Sequence, residues 1–306
     1  MRVLAVVGPT AVGKSALAEQ LALRCGGEVI SADSMQVYRG MDVGTAKTPQ
    51  GERLVTHHCI DIAEPGEPFS AALYQTQARA SIGDVSSRGL LPVVCGGTGL
   101  YVRAALDDLR FPSGEQAENP VRAKYEQLAQ TQGAGALHAL LATREPQSAA
   151  LIHPNNVRRV VRALEMLDAD GVSYAAQHAG LAIRASVYDT RFVGLTMDRA
   201  ALYERIDARV DRMMDEGLLG EVERLLDAGL RSALTSAQAI GYKELVQTLD
   251  GTTSLEVAVA AIKQASRRYA KRQLTWFRAD KRIRWVDVTG LSPAEQVEAA
   301  LHEIDW

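Results

Sequence analysis

Short, fully apolar runs alternate with helically spaced ones in the first third of the chain. Residues 3–7 (V-L-A-V-V) form an apolar run ended by Gly8-Pro9, and residues 14–24 (K-S-A-L-A-E-Q-L-A-L-R) then carry apolar positions at helical spacing. The pattern predicts strand, loop, helix. A second run over 28–33 (E-V-I-S-A-D) and a third over 91–95 (L-P-V-V-C), closed by Gly96-Gly97, read as buried strands, with a helix expected over 70–88. Strands alternating with helices imply a parallel sheet with right-handed crossovers. From about residue 113 to 190 strand-like runs vanish and helical patterns follow one another over 120–131, 135–143 and 155–168. Strand character returns over 191–195, helices are expected over 198–228, 236–249 and 254–279, and a last strand over 283–288. The expected fold is therefore α/β, with a discontinuous core of 1–112 and 191–306 and an all-helical insertion over 113–190.

Composition narrows the class without naming it. At 306 residues, 47% hydrophobic and 23% charged, the chain has the make-up of a packed globular protein rather than a disordered or fibrous one. Cys25, Cys59 and Cys95 stand alone in mostly apolar surroundings with no C-x-x-C pair, so neither a disulfide framework nor a zinc knuckle is expected, and a reducing cytoplasm fits. The opening apolar run is too short for a leader and no stretch reaches the ~20 apolar residues of a membrane span, so no membrane partner is expected. With 34 Lys+Arg against 37 Asp+Glu, any nucleic-acid role must come from local clustering.

The sharpest motif is Gly8-Pro9-Thr10-Ala11-Val12-Gly13-Lys14-Ser15, a complete G-x-x-x-x-G-K-[ST] set between a strand and a helix. Glycines let backbone N–H groups curl around phosphate oxygens, the helix N-terminus adds partial positive charge, Lys14 a full one, and Ser15 can ligate Mg²⁺. These eight residues are the expected P-loop cradle of a phosphorylated ligand, and the motif alone leaves open ATP, GTP or another diphosphate. Asn119, Asn155 and Asn156 sit in no base-reading Asn-Lys-x-Asp segment, which disfavours a GTPase. Asp33 ends the second strand, where strand termini of a parallel sheet converge on the phosphate site; it can serve Mg²⁺ or take a proton from a nucleophile, or it can simply cap a turn with Ser34. His58-Cys-Ile-Asp61 is a poorer acidic strand end. His57 and His58 lack metal spacing, and Trp276, Trp285 and Trp306 are expected to pack.

Beyond the P-loop, four blocks carry a resemblance: residues 33–47 (D-S-M-Q-V-Y-R-G-M-D-V-G-T-A-K), 96–101 (G-G-T-G-L-Y), 153–165 (H-P-N-N-V-R-R-V-V-R-A-L-E) and 268–278 (R-Y-A-K-R-Q-L-T-W-F-R). In this order they resemble the bacterial tRNA dimethylallyltransferases over nearly the whole chain. The resemblance implies transfer from dimethylallyl diphosphate to N6 of adenine-37, beside the anticodon, in tRNAs reading codons that begin with U, by a kinase-like P-loop core whose helical insertion grips the anticodon stem-loop; a monomer is expected. It also implies that Thr98 lines the channel between donor and acceptor and that Arg122 touches tRNA.

The chemistry of the residues is compatible. Alkylating an exocyclic amine needs a stabilised diphosphate leaving group, from Lys14, the loop amides and Mg²⁺, and a base for the departing proton, which Asp33 supplies. The target base must be flipped out and its edge read, a task suited to Ser34, Met35 and Gln36 beside Asp33. Catalysis is thus expected from Asp33, Thr98 and Lys14, and tRNA contact from residues 33–36, Thr98, Arg122, Arg158, Arg159 and Arg162. Lys263, Arg267, Arg268, Lys271, Arg272, Arg278, Lys281, Arg282 and Arg284 form a basic tract suited to phosphate contact or to a solvated helix face. A nucleotide kinase, an adenylate isopentenyltransferase acting on a free nucleotide, and a non-enzymatic RNA binder are the competing readings; the long insertion, the 153–165 block with the late basic helix, and the intact Lys14, Ser15 and Asp33 argue against each in turn.

Overall fold

The computed structural model describes residues 1–111, 119–181 and 183–304. The chain divides into two compact units, Met1–Asp107 with Ser186–Trp306, and Asp108–Ala185. The break falls about five residues earlier at each end than the hydrophobic pattern suggested, because an isolated bridge between Asp107 and Ser186 keeps both in the first unit. Arg282 reinforces it, donating to Asp107 Oδ1 at 2.7 Å and to Ser186 Oγ at 2.8 Å.

The first unit is built on six parallel strands: β1 (Arg2–Val7), β2 (Gly27–Ser31), β3 (His57–His58), β4 (Leu91–Gly96), β5 (Asp189–Thr196) and β6 (Ile283–Asp287), in the order β3-β2-β4-β1-β5-β6. Strands β1 and β4 are nearly continuous apolar runs because helices cover both faces, burying Val3 to Val7 completely. The two-residue β3 had no legible strand signal; it exists because Val29 and Ile30 pair with His57 and His58. Covering helices are α1 (Lys14–Cys25), α2 (Ala71–Ser87) and α3 (Gly99–Leu106) before the interruption.

The second unit is all-helical: α4 (Pro120–Arg144), α5 (Pro146–Leu151), α6 (Val157–Glu165) and α7 (Tyr174–Gly180). The two expected helices over 120–143 form one element kinked at Gly133, whose φ of 84° is non-helical. Tyr125, Leu137, Leu141, Val160, Val161 and Leu164 form its own core. After β5 the chain continues through α8 (Arg199–Asp215), α9 (Leu218–Asp227), α10 (Tyr242–Leu249) and α11 (Leu255–Arg278), and after β6 through α12 (Pro293–Glu303). The helix expected over 198–228 is two, because Glu216-Gly217 breaks it with Gly217 at φ 91°.

Three packing expectations need correction. Cys25 is exposed at the end of α1, whereas Cys59 and Cys95 are buried. Trp276 is 41% exposed rather than packed away. Trp285 is half-buried, and Trp306 lies outside the described residues.

Candidate active site

β1 ends in the centre of the sheet, and the loop after it wraps the start of α1. Gly8, Ala11 and Gly13 take φ of 149°, 64° and 104°, the left-handed turns that aim successive amides inward. A Cβ on Gly8 would press on the Leu195 carbonyl at 2.8 Å, so that position also needs glycine for close approach to β5. Pro9 and Val12 are buried beneath the loop and Ser15 is exposed at its rim. Lys14 folds back and donates to the Pro9 carbonyl at 2.6 Å; burial lowers its ammonium from 10.5 to about 8, against the pull of Asp33.

Asp33 follows β2, with β4 between it and β1. Its Oδ1 accepts from the Met35 N–H at 2.9 Å, so the carboxylate does close a turn, and it also lines a cavity of about 280 Å³. Thr98 is the hinge between the loops: its Oγ1 accepts from the Ser34 N–H at 3.1 Å and donates to Ser34 Oγ at 3.3 Å, while its own N–H donates to the Ala32 carbonyl. The glycines around it are steric necessities, since a Cβ on Gly96 would strike the Ala32 backbone, on Gly97 the Gln273 amide, and on Gly99 the Trp276 indole. Buried Gln273 ties the P-loop to this turn, accepting from the Thr10 N–H at 2.8 Å and donating to the Gly97 carbonyl at 2.9 Å.

The cavity has a polar end at Thr10, Asp33, Ser34, Arg209, Tyr269 and Arg272, and apolar walls from Ile206, Val210, Met213, Leu218, Ile240 and Ile262. Its second cation was not legible. Arg209 sits mid-α8 with no motif about it, yet it donates to Thr10 Oγ1 at 3.2 Å and to the Thr45 carbonyl at 3.3 Å. Burial pulls its guanidinium below the usual range, and the Asp33 carboxylate opposes that shift. Tyr269 lines the same cavity, and burial pushes its phenol up to about 12, so it stays protonated.

The segment 33–47 is irregular but firmly pinned. Buried Glu221 accepts from the N–H groups of Asp42, Val43 and Gly44 at 3.0, 2.8 and 3.1 Å and from the Tyr242 hydroxyl at 2.6 Å. Lys47 donates to the Tyr38 carbonyl, Asp42 and Asp61.

Several residues fall elsewhere than expected. The Gln36 amide is spent inside the protein, accepting from Ser31 Oγ at 2.8 Å and donating to the Thr45 carbonyl at 3.3 Å. It lines a separate cavity of about 20 Å³ with Ser15, His57 and Cys95, so it braces the 33–47 segment instead of facing the Asp33 cavity. Arg122 and Arg162 are committed to Glu165, a carboxylate only 1% exposed, at 3.1 and 3.0 Å; a buried charge of that kind demands partners. Arg158 and Arg159, one turn earlier, are exposed. In the late basic tract Lys263 pairs with Asp211, Arg267 with Asp207, and Arg282 with Asp107 and Asp280, whereas Arg268, Lys271, Arg272, Arg278, Lys281 and Arg284 are exposed. His57 sits 2.8 Å from Glu19, and His58 and Arg88 hold Glu28 near 2, so these histidines are structural.

A parallel α/β core, a glycine cradle with a half-buried lysine, and an acid lining an amphipathic cavity define a P-loop protein. The comparisons name the group within that class. The IPP transferase model matches residues 36–280 and the isopentenyl transferase model residues 1–59. tRNA dimethylallyltransferases of Geobacillus thermodenitrificans and Bacillus subtilis are each 51% identical over 289 residues, covering 94% of this chain and 91% of theirs. The full-length tRNA isopentenylpyrophosphate transferase of Bacillus halodurans superposes with a TM-score of 0.72 at 46% identity, covering 97% of this chain and 93% of that one. A eukaryotic dimethylallyltransferase, described as acting on tRNA, matches with a TM-score of 0.78 at 29% identity, over 98% of this chain and 78% of its own. The chain belongs to the IPP transferase family.

Proposed function

We propose that the protein transfers a dimethylallyl group from dimethylallyl diphosphate to N6 of adenine-37 in tRNAs reading codons that begin with U, giving N6-(dimethylallyl)adenosine and diphosphate. The observation that carries this reading is one cavity joining a diphosphate-binding end, Thr10 and Arg209, to a carboxylate, Asp33, and an apolar wall of a size and character suited to a five-carbon chain. The tRNA dimethylallyltransferases of similar length and about half-identical sequence support the choice of substrate.

In this reading the P-loop amides, Lys14 and Arg209 hold the diphosphate, and N6 attacks the allylic carbon opposite it. The C–O bond breaks with its electron pair leaving on diphosphate, and the N6 proton passes to Asp33. Lys14 and Arg209 favour the charge that develops on the leaving group. Thr98, hydrogen-bonded to Ser34, lines the approach and fixes the Asp33 turn against β4. Mg²⁺ fits as a companion of the diphosphate: among the described residues no three acidic, histidine or cysteine side chains form a protein cage, but Mg²⁺ commonly takes one or two protein oxygens with substrate phosphates and water, and Ser15 offers one at the rim. When bound it neutralises diphosphate charge. The exposed Arg158 and Arg159 of the helical unit are suited to the phosphates of the anticodon stem-loop.

The test is direct. Incubation with labelled dimethylallyl diphosphate and either tRNA or AMP should label only tRNA, at a single adenosine next to the anticodon. Label on AMP alone, or on neither acceptor, would overturn the assignment.

A further inference from the structure

The indole of Trp276 packs one edge on Gly99, and the residue stays 41% exposed. Along α11 it follows Tyr269 and Arg272 at spacings of seven and four residues, which puts the three on one helix face. The first two line the Asp33 cavity, and the Arg272 guanidinium lies over the Tyr269 ring at 5.5 Å from its centroid. The third lies against Gly99, one residue beyond Thr98; its Cδ1 and Nε1 edge is where a Cβ on that glycine would fall. Aromatic, cation and aromatic thus run from the interior of the cavity outward past the Thr98 turn. At 41% exposure Trp276 is the largest exposed apolar side chain among the described residues. A partly exposed indole beside a cationic cleft offers a flat face on which a planar group can stack.

Resting on the acceptor assigned above, we propose that Trp276 is the stacking platform for the unpaired nucleobase adjacent to the flipped adenine of the anticodon loop, with Arg272 holding the intervening phosphate. Extruding one base deprives its neighbours of a stacking face, and RNA-binding proteins replace that face with an aromatic side chain. Gly99 serves the same end, since any side chain there would displace the indole from the turn that carries Thr98. Trp276 is then a positioning residue that lowers the cost of flipping and does not touch the reacting atoms.

The experiment is a double-mutant cycle between protein and RNA, using anticodon stem-loops that carry an abasic nucleotide on the 5′ or the 3′ side of the target adenosine. Base–aromatic stacking is commonly worth about 5- to 150-fold in affinity. Trp276→Ala should therefore raise KM for the intact stem-loop by that factor, with KM for dimethylallyl diphosphate unchanged and Trp276→Phe largely restoring it. One of the two abasic stem-loops should cost the wild-type protein a similar factor and cost Trp276→Ala nothing further. If the losses multiply at both positions, or if Trp276→Ala binds the intact stem-loop as the wild type does, the inference fails. A melting curve for each variant separates misfolding from lost stacking, because a misfolded variant loses both substrates alike. Should the wild-type protein not prenylate the stem-loop at all, the failure lies with the acceptor assignment instead.

Discussion

Lys14 and Asp33 carry the chemistry of the proposed function, and each makes a distinct prediction. Burial holds the Lys14 ammonium at about 8, so in the free protein it loses its charge as pH rises through 8, and a bound diphosphate restores it. Donor binding at pH 8.5 should therefore take up a proton and weaken as pH rises further; calorimetry in two buffers of different ionisation enthalpy reads the uptake, and an uptake of zero would contradict the role. The effect on folding has the opposite sense. Below pH 8 both states hold the Lys14 proton and the burial penalty is fully present; between 8 and 10.5 only the unfolded chain keeps it, so this group adds stability as pH climbs. Lys14→Ala should abolish most transfer while leaving tRNA retention on filters nearly unchanged; parallel loss of both would remove the donor assignment. Asp33→Ala should lower kcat by roughly 10² to 10⁴ and alter the acid limb of its pH profile, with donor affinity retained. Wild-type turnover in that variant would exclude Asp33 as the base.

At the scale of elements, the site depends on an irregular segment held by a helix far away in sequence. The carboxylate of Glu221 in α9 is the common acceptor of three consecutive backbone N–H groups and the Tyr242 hydroxyl. Glu221→Ala would strand the buried Tyr242 hydroxyl and three half-buried N–H donors, which predicts a loss of about 2 to 3 kcal/mol in urea unfolding and, in the folded fraction, a raised KM for both substrates as residues 33–47 loosen. Gln36 belongs to the same bracing: Gln36→Ala should cost stability and turnover together, without the change in discrimination between loop sequences that a base-reading residue would show. Residues 33–47 already stood out in the sequence as a block, and their conformation did not. No periodicity marks a segment whose hydrogen bonds are paid back by side chains about 180 positions on.

Over the whole molecule, charge sorts into pairs that fold the protein and exposed charges that the proposed function assigns to RNA. Arg122 is half-buried against Glu165, so Arg122→Ala should cost about 2 kcal/mol of stability. Arg158 and Arg159 are exposed, and replacing either should leave the melting temperature alone, weaken every tRNA alike and shallow the slope of log K against log salt by about 1. Salt titrations on the single variants check both halves; an unchanged slope for Arg158 and Arg159 would move the RNA contact to the exposed members of the late basic tract. The sequence by itself determined the parallel α/β core, the helical insertion to within about five residues, the P-loop and Asp33, because buried strands, helical stripes and a glycine-rich turn are local patterns that one stretch of chain must carry whatever surrounds it. Only the tertiary structure decided that Arg209 and Asp33 line one cavity, that Gln273 ties Thr10 to Gly97, that Gln36 turns away from that cavity, and which arginines stay exposed. Those outcomes depend on which distant carboxylate or carbonyl a long side chain meets after the helices have packed, and a partner's position in space leaves no trace in the spacing of the residues around it.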